Sequence, residues 1–132
     1  MLVVDTSAVI GALVGRPPSD AVIERLATDS DLSAPHLLDV ELLHALRRLV
    51  LGGQLSEDRA ADARGDFADL AIIRYEHTVV ADRIWQLRRG LTAYDAAFVA
   101  LAELLDAPLV TCEARLARTP GHHATVELFA GG

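Results

Sequence analysis

The chain alternates short, unbroken apolar runs with longer stretches in which apolar residues return every three or four positions. The runs are too short for helices and too continuous for strands with one wet face, so they read as strands buried on both sides. They fall at residues 2–4, 32–34, 70–74, 108–111 and 124–129. Between them the helical spacing predicts a helix running from Thr6 and Ser7 through Ile10 to Leu13, and a second through Ala27 with Ser19 as its N-cap. A third, over 36–51, carries Leu38, Leu42, Ala45, Leu46 and Leu49 on one face. Pro17 and Pro18 stop the first of these, Pro35 closes the second strand, and Gly52 with Gly53 ends the third helix. Ser56, followed by Glu57 and Asp58, opens a fourth helix that reaches about residue 68. Further helices are predicted over 78–88, over 93–105 behind Thr92, and briefly over 113–117. Strands separated by helices predict an α/β fold, a three-layer α/β/α sandwich around a mostly parallel central sheet. No internal repeat or low-complexity segment interrupts this order.

At 132 residues the chain reads as one domain spanning 1–132, and 52% apolar content supplies a core and excludes a disordered chain. The lone Cys112 excludes an internal disulfide and an all-cysteine metal site, and it fits a cytoplasmic protein. The apolar start is broken by Asp5 and has no basic lead, so it reads as neither signal peptide nor membrane span. Charge changes the picture more. Twelve basic against nineteen acidic residues give a formal charge of −7, which excludes tight binding to nucleic acid by charge alone. Every basic residue is arginine, which removes P-loop phosphate transfer, Schiff-base chemistry and the lysine-assisted phosphoacceptor reaction expected of an aspartate such as Asp5 in a receiver domain.

Four acids stand where a core would not place them. Asp5 follows the first strand directly and Glu113 follows the fourth, the carboxyl ends at which parallel sheets bind ligands. Glu41 borders the leucine face of the third helix, and Asp95 lies three and four residues before Phe98 and Val99 on a nearly all-apolar helix. Each has a local alternative: an Asx turn of Asp5 with Ser7, a capping box of Asp95 with Thr92, a favourable helix N-terminus for Glu113. Glu41 has none, with His44 its only polar neighbour at helical spacing. Like charges about 4 Å apart repel by about 4 kcal/mol at an effective dielectric of 20, so a converging cluster would stay ionised only around a cation. All-oxygen donors select Mg²⁺ or Mn²⁺, which could bridge an acidic protein to phosphate and support phosphodiester hydrolysis.

At these residues the sequence resembles the PIN-domain nucleases, most closely the VapC-type ribonuclease toxins of toxin-antitoxin pairs. The matching stretches are VVDTSAVIGAL, APHLLDVELLHALRRL and LTAYDAAFVALAELLDAPLVTCEARLAR, in the family's order and over most of the chain. The resemblance implies an α/β/α domain with an acidic Mg²⁺ pocket, endonucleolytic cleavage of single-stranded RNA, and inhibition by a cognate VapB-type antitoxin. Carried over by position, Asp5, Glu41 and Asp95 would be the metal-binding carboxylates. Thr6 or Ser7 would steady Asp5, and Thr111 would hydrogen-bond behind the ligands. The family's T-x-D pattern is here Thr111-Cys112-Glu113, one methylene longer, which leaves Glu113 either a direct ligand or a water-bridged one. It also keeps open a second function, a PIN-like module that binds RNA or protein without cutting.

Several residues invite other readings. Arg88, Arg89 and Arg115 flank the segments with Asp95 and Glu113 and read either as RNA phosphate contacts or as solvating charges at helix ends. Glu41 and His44 share the spacing of di-iron bundles, but no second copy exists. His44 reads as packed or interfacial, His36 as a surface residue, His122 and His123 as solvated loop, and Cys112 as a small core residue. Trp85 with Ile84 and Leu87 reads as core or a dimer face, and the apolar content is compatible with a homodimer, alone or within a toxin-antitoxin hetero-oligomer.

Overall fold

The computed structural model describes residues 1–15, 20–29 and 31–129. Five strands form one sheet: β1 (Leu2–Val4), β2 (Leu32–Pro35), β3 (Ile72–Tyr75), β4 (Leu109–Thr111) and β5 (Val126–Leu128). Their order is β3-β2-β1-β4-β5 and every pairing is parallel, so the sheet is wholly rather than mostly parallel. Val3 pairs with Ser33 on one side and Leu109 on the other, which places β1 and β4 at the centre, where strand order reverses. Leu2, Val3, Val4, Leu109 and Val110 are all fully buried, as continuous apolar strands covered on both faces must be. Pro35 lies past the end of β1, so its missing N–H leaves no gap in that ladder.

Helices α1 (Thr6–Val14), α2 (Asp20–Ala27), α3 (Leu37–Leu51) and α4 (Glu57–Asp69) pack on one another. Across the sheet, α5 (Ala81–Gln86) packs on α6 (Ala93–Leu105), and α7 (Ala114–Arg118) joins β4 to β5. Right-handed crossovers place the helices of the β1-β2-β3 half on one face and those that return through β4 and β5 on the other, giving three layers. α3 buries Leu38, Leu42 and Leu46. α6 buries seven consecutive residues from Ala96 to Ala102, the signature of a helix enclosed on nearly every side.

Differences from the expected elements have local causes. The helix expected over 78–88 is a 3₁₀ turn at His77–Val80 followed by α5, and it ends at Gln86; the β-branched Thr78, Val79 and Val80 favour the tighter turn over a regular helix start. β3 begins two residues late because Leu70 closes α4 through its N–H to the Phe67 carbonyl. β5 is shorter than expected, and α7 starts at Ala114 behind Glu113. Pro17, Pro18 and Ser19 lie outside the described residues. α3 opens without a side-chain cap of its own; instead the Leu37 N–H donates to His77 Nε2 at 2.9 Å, a cap supplied from another element. No helix among the described residues is long and apolar enough to cross a membrane.

α3 ends at Gly52, with Gly53 at φ 75°, a conformation glycine adopts freely. α6 ends instead on Asp106 at φ 50°, where a Cβ is disfavoured. Asp106→Gly should therefore stabilise the protein by about 0.5–1 kcal/mol, read as a rise of a few degrees in thermal midpoint by circular dichroism.

Candidate active site

The hollow at the carboxyl ends of β1 and β4 encloses about 790 Å³ and is lined by Asp5, Glu41, Asp95 and Glu113, one acid from each of four elements. Asp5 is fixed by the sheet: its N–H donates to the Val110 carbonyl at 3.2 Å, tying the end of β1 to β4 at the switch point. Its carboxylate then does two jobs. Oδ1 accepts the Ala8 N–H at 2.9 Å and so caps α1, and it also accepts the Ser7 hydroxyl at 2.7 Å. Oδ2 accepts the Thr111 hydroxyl, which leaves one lone pair on Oδ2 free for a ligand. Thr111 in turn accepts the Glu113 N–H at 2.9 Å, and Ser7 Oγ accepts the Cys112 N–H at 2.8 Å, so α1 and the turn after β4 are locked together through hydroxyls.

Asp5 is only 5% exposed, and burial pushes its carboxyl up to about 6, although the bonds from Thr111, Ala8 and Ser7 favour the charged form. The charge of Glu113 adds a smaller upward push. Burial likewise raises the Cys112 thiol, helped by Asp5 and Glu113, so this partly buried wall of the hollow is no thiolate nucleophile.

The other acids are held differently. Glu41 Oε1 accepts the Thr6 hydroxyl at 2.7 Å, so the two hydroxyls after Asp5 divide their work: Ser7 steadies Asp5 and Thr6 steadies Glu41. At α6 the Asp95 N–H is capped by Thr92 Oγ1 at 3.1 Å, half of the expected capping box. The Asp95 carboxylate turns away from Thr92 and takes a forked contact from Arg115, Nε at 3.1 Å to Oδ2 and Nη2 at 3.2 Å to Oδ1. Arg115 Nη1 also reaches Glu113 Oε2 at 3.3 Å. Glu113 occupies the N-cap position of α7 without a side-chain cap bond and lines the hollow.

Part of the repulsion expected of such a cluster is relieved within the chain: hydroxyls donate to Asp5 and Glu41, and the Arg115 guanidinium lies between Asp95 and Glu113. Among the described residues no three His, Cys, Asp or Glu gather tightly enough to cage an ion by themselves. The donor set suits a hard cation that keeps several waters and takes one or two carboxylates directly, the Mg²⁺ pattern, and it is unsuited to a closed Zn²⁺ site.

Arg88 and Arg89 sit outside the hollow; Arg88 donates to the Trp85 carbonyl at 2.9 Å and stacks 4.4 Å over its ring. Trp85 is 67% exposed, so it is not core; α5 buries none of its own residues, and Leu87, just past its end, is buried instead. His122 is no solvated loop residue: Nε2 contacts the Leu116 carbonyl at 3.0 Å and Nδ1 accepts the Ala124 N–H, which braces the approach to β5. His44 is exposed on the wall of the hollow with Arg48, both in line with Glu41 along α3, and Tyr94 lies beside Asp95. The 41-44-48 spacing could have revealed the first two; nothing in the sequence marks Tyr94.

Residues 2–122 match the PIN domain. Ribonuclease VapC1 of Mycobacterium tuberculosis is 45% identical over 127 residues, 96% of either chain. Ribonuclease VapC12 of the same organism is 37% identical over 130 residues, 98% of this chain and 100% of that one. A chain of the crystal structure of VapBC2 from Rickettsia felis, bound to a DNA fragment from its promoter, superposes with a TM-score of 0.70 at 16% identity, over 97% of this chain and 98% of that one, a likeness of fold. With the acids already placed at the switch point of the sheet, these matches mean that the chain belongs to the PIN-domain family, among its VapC-type members.

Proposed function

We propose that this protein is a Mg²⁺-dependent endoribonuclease that cleaves single-stranded RNA, acts as the toxin of a VapBC-type pair, and is neutralised by a cognate VapB-type antitoxin covering the hollow. Mn²⁺ is the natural substitute ion. One observation carries the reading: four carboxylates from four elements line one hollow at the carboxyl ends of β1 and β4. The ribonuclease names of relatives covering nearly the whole chain support it. We extend the proposal to a cytoplasmic homodimer, alone or within a hetero-oligomer with the antitoxin.

In this reading Asp5, Glu41 and Asp95 would hold the ion, with Glu113 joining them directly or through water. When bound, the ion would supply Lewis-acid polarisation of the phosphate and a bound water that ionises more readily than bulk water. The chain's own residues supply the rest. Thr6 keeps one Glu41 oxygen hydrogen-bonded, while Thr111 and Ser7 hold the Asp5 plane so that no rotamer search precedes reaction. Water is the nucleophile, since the Cys112 thiol is held protonated and the chain has no lysine. Cleavage of a mixed RNA pool should require Mg²⁺ and stop with EDTA; cutting that persists in EDTA, or no cutting at any divalent concentration, would defeat the reading.

Asp5 also sets a pH dependence. The folded protein holds its proton more tightly than the unfolded chain, whose carboxyl titrates near 3.8, so ionised Asp5 opposes folding. That penalty is absent below pH 3.8 and complete above about pH 6, where it amounts to at most about 3 kcal/mol. Asp5→Asn should therefore abolish cleavage yet raise the thermal midpoint at pH 7.5 without divalent ions, with the gain vanishing near pH 4; a destabilised variant at pH 7.5 refutes this. Cleavage by the natural sequence should decline as pH falls through about 6 at limiting Mg²⁺, and the decline should move lower at saturating Mg²⁺. Thr111→Val, which removes the strongest bond favouring charged Asp5, should move it higher.

A further inference from the structure

Among the described residues two arginines line the hollow, Arg48 and Arg115, and of these Arg115 is the one engaged with acids. Its guanidinium lies 2.9 Å from Asp95 and 3.3 Å from Glu113, the two carboxylates that come from α6 and the turn after β4. The contact is reached across the fold, 20 residues from Asp95 in sequence, and it uses the planar fork on Asp95 that arginine and not lysine provides. Half of the Arg115 side chain stays exposed, at 56%, so the guanidinium has a clear way out.

We infer that Arg115 is a built-in competitor for the divalent ion. It fills the Asp95–Glu113 edge of the hollow while the ion is absent, and it must withdraw toward the open side before Asp95 can bind an ion. The inference rests on the divalent-ion reading above and adds to it an internal control on ion affinity. At equal distance a divalent ion attracts the pair twice as strongly as a guanidinium does, so the exchange favours the ion once its concentration offsets the cost of dehydration. Tethering keeps the competitor at a fixed local concentration, which lowers the apparent ion affinity by the fraction of molecules in which Arg115 has withdrawn. The released guanidinium then lies at the mouth of the hollow, where its charge is turned toward incoming phosphate.

Mn²⁺ titration of the full-length protein, followed by calorimetry and by the electron spin resonance of free Mn²⁺, tests this without reference to cleavage. Arg115→Met should bind Mn²⁺ about three- to tenfold more tightly than the natural sequence, as expected for removal of a half-exposed forked pair. Arg48→Met takes the same charge from the same hollow without touching either acid, and should change affinity less than twofold. In the natural sequence the Arg115 Nε–H resonance should shift during Mg²⁺ titration while that of Arg25, paired with Glu127 elsewhere, stays fixed. Unchanged or weaker binding by Arg115→Met, or an equal gain in Arg48→Met, overturns the competitor role and leaves the nuclease reading standing. Absence of binding by all three proteins overturns both.

Discussion

Everything at the site follows from one placement: a carboxyl group at the buried end of the central strand. The N–H of Asp5 completes the β1–β4 ladder, so its position is set by the sheet and not by the needs of the hollow. Burial then makes the charged form costly, and the surrounding hydroxyls of Ser7 and Thr111 recover part of that cost while keeping one lone pair free. The site holds some of the fold's instability in a form that a bound cation would relieve, a common relation between active sites and the structures that carry them.

The local and functional readings of each acid turn out not to compete, because different atoms serve them. Asp5 Oδ1 caps α1 while Oδ2 faces the hydroxyl of Thr111. At α6 the cap is made by the Asp95 backbone N–H and the Thr92 hydroxyl, which frees the carboxylate for Arg115. A helix start at a sheet's carboxyl edge offers both services to one short side chain, and this is how a chain of 132 residues carries a polar site without a separate supporting layer.

The net charge of −7 poses the opposite problem, how such a surface accepts a polyanion. Among the described residues, four of the twelve arginines are paired with acids of the same chain: Arg25 with Glu127, Arg74 with Asp39, Arg83 with Glu103, and Arg115 with Asp95 and Glu113. Arg47, Arg59, Arg64, Arg88, Arg89 and Arg118 remain exposed, but the net negative charge outweighs them. Such an arrangement favours recognition by geometry and bridging cations over nonspecific adhesion.

The α/β order, the strand centres and the four acids were all legible in the sequence, because continuous apolar runs, caps and strand-end acids are local patterns set by neighbouring residues. The 3₁₀ turn at His77–Val80 is not legible in the chain because it depends on a balance of a few β-branched residues, nor is the late start of β3, because it depends on how α4 closes. Which hydroxyl served which acid was not legible: Thr6 and Ser7 are adjacent in the chain, and only the approach of α3 assigns Thr6 to Glu41. The pairing of Arg115 with Asp95, the exposure of Trp85 and the bracing role of His122 were hidden for the same reason. Hydrophobic period and helix capping act within a few residues and so are written in the chain, whereas the partner of a long polar side chain is chosen by whichever distant element the crossovers bring beside it.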